Sequence, residues 1–303
     1  MIHVLALAVA LALDAAIGEP DAIWKRVPHP AVLMGRAVGW ADRKLNHGEG
    51  RMITGAVTLA GLIVVAWVVG DLVASLGWIV EALAAAILLA QRSLVEHVKD
   101  VANALSLSLA DGRAAVARIV GRDTAGMDEP AVARAAIESA AENFSDGVIA
   151  PAFWFLVFGL PGMLIYKMVN TADSMIGYRT PEHEQFGKAA ARLDDVLNWV
   201  PARLSALIIH LLAPRPGGWA RIRRDAGLHR SPNAGWPEAA MAVNLRVALA
   251  GPRSYHGQMT EDAFVNPDGA HEIGAAEIDG AVAVLWRAWG VALGLVILIA
   301  IVT

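Results

Sequence analysis

Three long apolar runs constrain the fold of this chain more than any other feature of its sequence. They cover residues 53–69, 72–90 and 281–302, and each approaches the ~20 apolar residues with which an α-helix crosses ~30 Å of hydrocarbon. Only Glu81 and Arg287 are charged within them. A chain with 56% hydrophobic and 18% charged residues and a mean hydropathy of +0.48 is also too apolar for an ordinary soluble domain. The sequence therefore predicts an all-α, polytopic integral membrane protein.

Three other apolar segments are too short or too interrupted to be regular spans. Residues 2–17 are not preceded by the Lys or Arg of a signal peptide, so they predict a short first membrane helix that is retained. Residues 148–166 are broken by Gly-Leu-Pro-Gly at 159–162. This break predicts two half-helices, each too short to span, in a re-entrant hairpin over a covered cavity. Residues 199–213 contain a proline, an arginine and a histidine and predict an interfacial or half-inserted helix.

Lysine and arginine are concentrated in the polar regions between the apolar runs. These regions are residues 18–52, 91–147, 167–198 and 214–280. The positive-inside rule places all four in the cytoplasm, and a hairpin that turns at Gly70-Asp71 satisfies the rule for the first two. We therefore expect one membrane-embedded domain over residues 1–303, in the cell inner membrane, with its polar loops on the cytoplasmic side.

The polar regions contain helix signals of their own. Start signals predict cytoplasmic helices over about 91–110, from Pro130 onward, and from Ser231 to about Ala250. Residues 251–279 are rich in Gly, Pro, Asn and Asp and predict a surface loop. No stretch alternates long enough to predict a sheet.

Composition also excludes several kinds of function. The formal net charge of −4 gives no reason to expect nucleic acid as a partner. The chain has no cysteine, so disulfides, thiolate nucleophiles and cysteine metal sites are excluded.

Three dense polar blocks lie beside the apolar runs, where an unpaired polar group costs several kcal/mol. They are residues 137–147, 166–178 and 190–203, and their position predicts a binding or catalytic site at the membrane. On the helix that begins at Pro130 and enters the first block, Arg134, Glu138 and Glu142 recur every four residues on one face, and Asp146 would extend the row. This face is either a stripe of exposed ion pairs or, at Glu142 and Asp146, a ligand set for Mg²⁺, which favours a few carboxylates plus phosphate oxygens.

The second and third blocks combine donors and acceptors that suit phosphate and metal ions. In the second block, Lys167, Asn170 and Ser174 share a helix face with Asp173 beside them, and a lysine can meet a phosphate as a point charge. The third block contains Arg192, Asp194, Asp195 and Asn198, followed by Arg203. These residues form either part of the site or a structural Arg-Asp network.

Other charged residues allow two interpretations each. A basic cluster formed by Arg221, Arg223, Arg224, His229 and Arg230 either anchors lipid headgroups or recognises phosphate. Glu81 either pairs inside its hairpin or lies nearer the membrane surface than its span suggests. The isolated His29, between two prolines, predicts a structural role.

Several motifs occur in one order along nearly the whole chain. They are Leu13-Asp14 with Gly18-Glu19-Pro20, Pro28-His29-Pro30 with Met34-Gly35, Arg134 to Gly147, Tyr166-Lys167, Asn170 to Tyr178, Phe186-Gly187, Ala190 to Asn198, Pro201-Ala202-Arg203, Arg224-Asp225 and His229 to Glu238. With these motifs the chain resembles the adenosylcobinamide-phosphate synthase family of cobalamin biosynthesis, the CobD/CbiB proteins. Glu19 departs from the family, in which this turn is usually Gly-Asp-Pro.

The resemblance implies an integral inner-membrane carbon-nitrogen ligase. Such an enzyme joins adenosylcobyric acid, a corrinoid, through a propionate carboxylate to aminopropanol or ethanolamine, in phosphorylated or free form. It uses ATP, and Mg²⁺ is the expected metal ion. The lipid bilayer is an expected partner, and other cobalamin-biosynthesis enzymes are candidates. The chain has no P-loop or glycine-rich nucleotide motif, so sequence alone does not locate the ATP site.

Within this chemistry we assign roles from residue type. The metal set is Glu142, Asp146 and Asp173; Lys167 and Arg192 meet phosphate, and Asp194 or Asp195 is the base for the amine. Asn170, Ser174 and Asn198 complete the catalytic set. The residues assigned to cofactor or substrate binding are Glu138, Arg203, Arg223, His229, Asn233, Trp236 and Glu238.

Two other functions are consistent with the same pattern. An intramembrane, Mg²⁺-dependent prenyltransferase would also place acidic and amide side chains against a membrane cavity. A transporter or a non-catalytic scaffold is the other alternative, suggested by the broken apolar run and by Glu81 within a span.

Overall fold

A computed structural model of the chain describes residues 2–255, 258–260 and 262–302. In chain order its helices are α1 (Ile2–Ile17), α2 (Asp21–Trp24), α3 (Pro30–Leu45), α4 (Arg51–Ala74), α5 (Trp78–Leu88), α6 (Gln91–Leu107), α7 (Leu109–Val116), α8 (Glu129–Phe144), α9 (Ala150–Ile176), α10 (Lys188–Leu197), α11 (Trp199–Leu212), α12 (Gly218–Ala226), α13 (Gly235–Leu245) and α14 (Ala275–Val302). A π-helical turn, Ser145–Ile149, joins α8 to α9. The all-α prediction is confirmed.

Long apolar helices confirm the prediction of a polytopic membrane protein. Four helical segments in the described part of the chain are long and apolar enough to cross a bilayer: Arg51–Ala74, Trp78–Leu107, Glu129–Ile176 and Ala275–Val302. The bent pair α10 and α11, at 43°, could add a fifth, and α1 is a shorter apolar helix. On α4, Ile53, Val57 and Val64 are exposed, as expected for a helix that faces lipid rather than water.

The first hairpin turns later than its sequence suggests. We predicted the turn at Gly70-Asp71, but α4 continues to Ala74 and the turn lies at Ser75 to Gly77, where Gly77 has a φ of 108°. Gly70 is helical and packs so closely on the backbone of Pro161 that an added Cβ would lie 2.6 Å from its Cα. This glycine therefore permits close helix packing and does not form the turn.

The predicted break within residues 148–166 is present, but the flanking helices are longer than expected. Phe158 and Gly159 leave helical geometry, with Gly159 at φ 65° and ψ −161°. Pro161 does not end the helix because it lies in the first turn after the break, where its missing N–H is not needed. The second part of α9 runs on to Ile176, so the expectation of two short halves ending at residue 166 is wrong. The re-entrant topology stays a prediction.

The chain folds into two compact units. The first comprises Met1–Ala90, Asp146–Trp199 and Leu295–Thr303, and the second comprises Gln91–Ser145 and Val200–Gly294. In the first unit, α9 packs against α3, α4 and α10, while α1 packs against α5. Gly187, just before α10, lies against the carbonyl of Ile176 with no room for a Cβ, so α10 begins directly against the end of α9. The prediction of a single enzyme domain stays a prediction.

In the second unit, α8 packs against α6, α7 and α13, and α12 packs against α13. The stretch predicted as a loop over 251–279 contains more structure than expected. Short antiparallel pairs join β1 (Leu249–Ala250) to β4 (Phe264–Val265) and β2 (Arg253–Tyr255) to β3 (Gln258–Thr260), and α14 begins at Ala275. The helix predicted from Ser231 begins at Gly235 and ends at Leu245. The loop interpretation was therefore wrong for much of its length.

Candidate functional site

In the first unit, a chain of carboxylates and amides links all three polar blocks. The Nδ2 atom of Asn170 lies 3.5 Å from Oδ2 of Asp146 and 3.2 Å from Oδ1 of Asp194. Asn198 donates to Oδ2 of Asp194 at 2.9 Å. Tyr166 donates its hydroxyl towards Oδ1 of Asn198 at 3.0 Å and the backbone carbonyl of Asp146 at 3.1 Å. The Asn170 amide thus lies between two carboxylates, and the buried Tyr166 holds Asn198 at the other end of the network.

Local structure explains why these side chains meet. Tyr166 and Asn170 are four residues apart on α9, as Asp194 and Asn198 are at the end of α10, so each pair presents two polar groups on one helix face. Asp146 lies in the π-helical turn, a distortion that often marks functional sites. The faces of α9 and α10 meet through the close helix packing at Gly187.

Three further predicted residues lie near this network. Lys167 interacts electrostatically with Asp146 and Glu19, and Asp173 interacts with Tyr166. Asp195 is half-buried and interacts with Arg179. The network therefore combines carboxylates, neutral amides and one lysine, a set that can orient both a cation and a phosphate.

Two residues that the sequence assigned to the catalytic set, Ser174 and Arg192, do not join the network. Ser174 is exposed and donates its hydroxyl to the carbonyl of Asn170 at 2.9 Å, within its own helix. Arg192 is exposed on α10. Their proposed roles require a ligand that reaches the protein surface.

The second unit has a separate buried cluster centred on Glu138. One carboxylate oxygen of Glu138 accepts the backbone N–H of Ala250 at 2.7 Å. The other lies 2.7 Å from a guanidinium nitrogen of Arg122 and 3.4 Å from one of Arg253. Arg253 also lies 3.5 Å from a carboxylate oxygen of Asp262. The exposed ion-pair stripe is thus excluded for Glu138, which is 5% exposed.

The half-buried His229 and the buried Glu238 form a pair in the same unit. The Nδ1 atom of His229 accepts the N–H of Ser231 at 3.0 Å, which leaves Nε2 to face Glu238 Oε1 at 3.6 Å. Burial raises the pKa of the Glu238 carboxyl well above its ordinary value, and the carboxylates of Glu138 and Glu142 raise it further. Burial also lowers the pKa of His229. A protonated Glu238 and a neutral His229 are the forms that this environment favours.

Arginine and aromatic side chains form a third group in the second unit. Arg203 donates to Oδ1 of Asn233 at 2.6 Å and to the carbonyl of Pro232 at 3.0 Å. Its guanidinium lies 4.8 Å from the ring centroid of Trp236, and Trp219 lies 5.8 Å from the same ring. The predicted residues Arg203, Asn233 and Trp236 are therefore in direct contact.

Comparison with known proteins identifies the family. The family model described as CobD/Cbib protein matches residues 7–285. The chain belongs to this family. It is 47% identical to the cobalamin biosynthesis protein CobD of Sinorhizobium sp, with 98% of each chain covered. It is 49% identical to the protein of that name from Rhizobium meliloti (strain 1021), over 95% of this chain and 94% of the relative. No solved structure matches the chain.

In this CobD/CbiB family member, the three residues assigned to Mg²⁺ are divided between the units. Asp146 and Asp173 belong to the first unit and Glu142, exposed on α8, to the second. Arg223 is likewise exposed, on α12. The metal assignment and the role of Arg223 stay predictions.

Sequence analysis missed one group of possible metal ligands. Among the described residues, Asp42, Glu182 and His183 alone form a trio whose ligand atoms all lie within 4.8 Å of one another. Asp42 lies about 140 residues before Glu182 and His183 in the chain, so no local spacing signals the group. Nε2 of His183 lies 3.3 Å from Oδ2 of Asp42, and Asn46 donates to the carbonyl of Glu182 at 3.1 Å, so these contacts join α3 to the turn before α10 without a metal ion.

The structural role expected for His29 is confirmed, whereas Glu81 finds a partner outside its hairpin. His29 caps α3 by accepting the N–H of Ala31, and its Nε2 lies 3.0 Å from the carbonyl of Ile87. Glu81 is 2% exposed, and both its oxygens lie 3.1 Å from Nδ1 of His3. Glu81 thus pairs with His3 of α1 and not inside its own hairpin, and because it lies in the first turn of α5, a position nearer the membrane surface stays a prediction.

Proposed function

We propose that this chain is the adenosylcobinamide-phosphate synthase of a cobalamin pathway. In this reaction the chain joins a propionate carboxylate of adenosylcobyric acid to the amine of aminopropanol phosphate, using ATP, at the inner membrane. Membership of the CobD/CbiB family and the names of the relatives support the pathway. The observation that supports the chemistry is the network in which Asn170 lies between Asp146 and Asp194, with Lys167 beside it.

Amide formation sets two requirements for the site. The carboxylate must be activated, commonly as an acyl phosphate, and the amine must lose a proton before it attacks. The proton passes from the ammonium group to a base, the new C–N bond forms at the acyl carbon, and phosphate leaves with the electrons of the C–O bond. ATP supplies the phosphoryl group as a substrate.

Asp194 is the better of the two predicted bases. Asn170 and Asn198 each donate to one of its oxygens, so the carboxylate is oriented and keeps a lone pair on each oxygen for an incoming ammonium group. Asp195 is more exposed and faces Arg179. We therefore assign proton removal to Asp194 and charge balance to Asp195.

Lys167, Asp146 and Asp173 are placed to bind the phosphate group and the metal ion that the reaction uses. Lys167 lies near Asp146, so a phosphate bound beside Asp146 would gain a cation at one side. Asp146, Asp173 and the amide oxygen of Asn170 are hard oxygen donors of the kind that Mg²⁺ binds together with substrate phosphates. When bound, Mg²⁺ would offset part of the negative charge of a phosphate held beside these residues.

A single reconstitution tests this proposal. The purified full-length chain is given adenosylcobyric acid, ATP with Mg²⁺ and aminopropanol phosphate, and the amide product is measured. We expect product that depends on ATP, and a higher kcat/KM for the phosphorylated amino alcohol than for free aminopropanol. Absence of ATP-dependent amide formation would contradict the function, and equal kcat/KM values would contradict the preference for phosphate.

A further inference from the structure

The second unit has a cavity that none of the predicted roles explains. Its volume is about 420 Å³, and the charged residues in its wall are Arg122, Asp123, Asp128, Arg134 and Arg253. Small-molecule sites span roughly 300–1,000 Å³, so the cavity is large enough for a nucleotide. An amino alcohol phosphate is much smaller and would fill only part of it.

Arg134 is the side chain in this wall that is best placed to bind an anion. It is half-buried on α8, and in the described part of the chain no carboxylate pairs with it. Its guanidinium lies 5.9 Å from the ring centroid of Phe264, which holds the planar group against an aromatic face. Its N–H donors are therefore available for charge-assisted hydrogen bonds.

The other two arginines are held in fixed positions by Glu138. Arg122 and Arg253 both contact this carboxylate, and Arg253 also contacts Asp262, so each guanidinium group is held at the wall by an ion pair. Glu138 also accepts the N–H of Ala250, which has the positive φ of 58° that a residue with a Cβ rarely adopts. Glu138 is thus a positioning residue for the cavity wall, because it fixes both guanidinium groups and the strained turn at Ala250.

The carboxylates in the cavity wall suit a phosphate ligand that carries a bound divalent cation. Asp128 caps α8 through Oδ1, which accepts the N–H of Ala131 at 2.8 Å. Asp123 and Asp128 place carboxylate oxygens in the wall, the kind of ligand that a hard cation favours. A wall with both guanidinium and carboxylate groups suits a Mg²⁺-bound polyphosphate better than a bare phosphate.

We propose that this cavity binds the nucleoside triphosphate, with Arg134 as a direct phosphate ligand and Glu138 as the residue that positions Arg122 and Arg253. The assignment rests on the proposed ATP-dependent function and locates its nucleotide within the second unit.

Equilibrium binding of a fluorescent ATP analogue to the purified full-length chain, with Mg²⁺, tests the assignment. Arg134→Gln should weaken binding about tenfold to hundredfold, the effect of losing a charge-assisted hydrogen bond, and Arg134→Lys should weaken it less. Arg118→Gln is the matched control, because Arg118 is an exposed arginine of the same unit that pairs with Asp100 outside the cavity. Its binding should equal that of the unchanged chain.

Each outcome decides the assignment. If Arg134→Gln binds the analogue within twofold of the unchanged chain while its thermal unfolding is also unchanged, the cavity assignment is wrong and the proposed function stands. Displacement of the analogue by aminopropanol phosphate would show that the cavity holds the smaller phosphate instead. If the unchanged chain neither binds the analogue nor forms amide with ATP, the assignment and the proposed function fail together.

Discussion

At the scale of single residues, the role of Asp194 is the sharpest prediction. Its two oxygens accept from two amides, whereas Asp195 next to it interacts with Arg179. Asp194→Asn keeps the shape of the side chain but removes the base, so kcat should fall by about 10²–10⁴-fold. Asp195→Asn is the neighbouring control and should lose roughly tenfold or less. Amide formation by both variants at saturating substrates checks this, and equal losses would contradict the assignment.

Glu238 provides a residue-scale prediction about pH. Its pKa is raised in the folded protein by burial and by Glu138 and Glu142, so the folded state holds this proton more tightly than the unfolded state. The resulting stability is present at low pH and is lost as the pH rises through the raised pKa. His229, whose pKa is lowered by burial, has the opposite dependence, since its contribution is lost as the pH falls.

Thermal unfolding of the detergent-solubilised protein at several pH values separates the contributions of Glu238 and His229 to stability. Between neutral and alkaline pH the His229 contribution is constant, so on that side any change in the pH dependence of Tm reports Glu238 alone, and Glu238→Gln should lower it. A slope equal to that of the unchanged chain would show that Glu238 is already ionised at neutral pH.

At the scale of elements, the break in α9 depends on a carboxylate from α5. Glu81 Oε1 accepts the N–H of Leu160 at 3.3 Å, a donor that the distortion at Phe158 and Gly159 leaves without an intrahelical partner. Glu81→Leu should therefore lower the free energy of unfolding by ~1–3 kcal/mol. Glu81→Gln keeps an acceptor oxygen and should lose less. Thermal or denaturant unfolding of both variants checks the order, and equal losses would show that the charge next to His3 matters more than the cap.

Elements also show what local sequence can predict. Four-residue spacing correctly places Glu138 and Glu142 on one helix, and the glycine at 159 correctly signals a break. The contacts of Glu138 with Ala250 and Arg253 link residues more than 100 positions apart. Such contacts depend on how α8 packs against β1, and no periodicity within one segment encodes that packing.

At the scale of the whole molecule, hydropathy was sufficient to predict the membrane class. The runs at 53–69 and 281–302 fall within helices long enough to span a bilayer, and the run at 72–90 covers the turn after α4 and the start of the segment Trp78–Leu107. The division into two compact units was not predicted, because the residues of each unit come from separate parts of the chain. The candidate site was predicted at the level of residue types, while the grouping of Asp146, Asn170 and Asp194 required the tertiary structure.

Orientation in the membrane is the last prediction, and the cysteine-free sequence makes it directly testable. The positive charge of the polar regions and the cytosolic supply of ATP place Ser174 and Ser231 in the cytoplasm. Ser75, exposed in the turn after α4, should then face outward. In intact cells an impermeant thiol reagent should label Ser75→Cys and leave Ser174→Cys and Ser231→Cys unlabelled until the cells are opened. Labelling of Ser174→Cys from outside would contradict the re-entrant topology and would separate the polar network from its ATP supply.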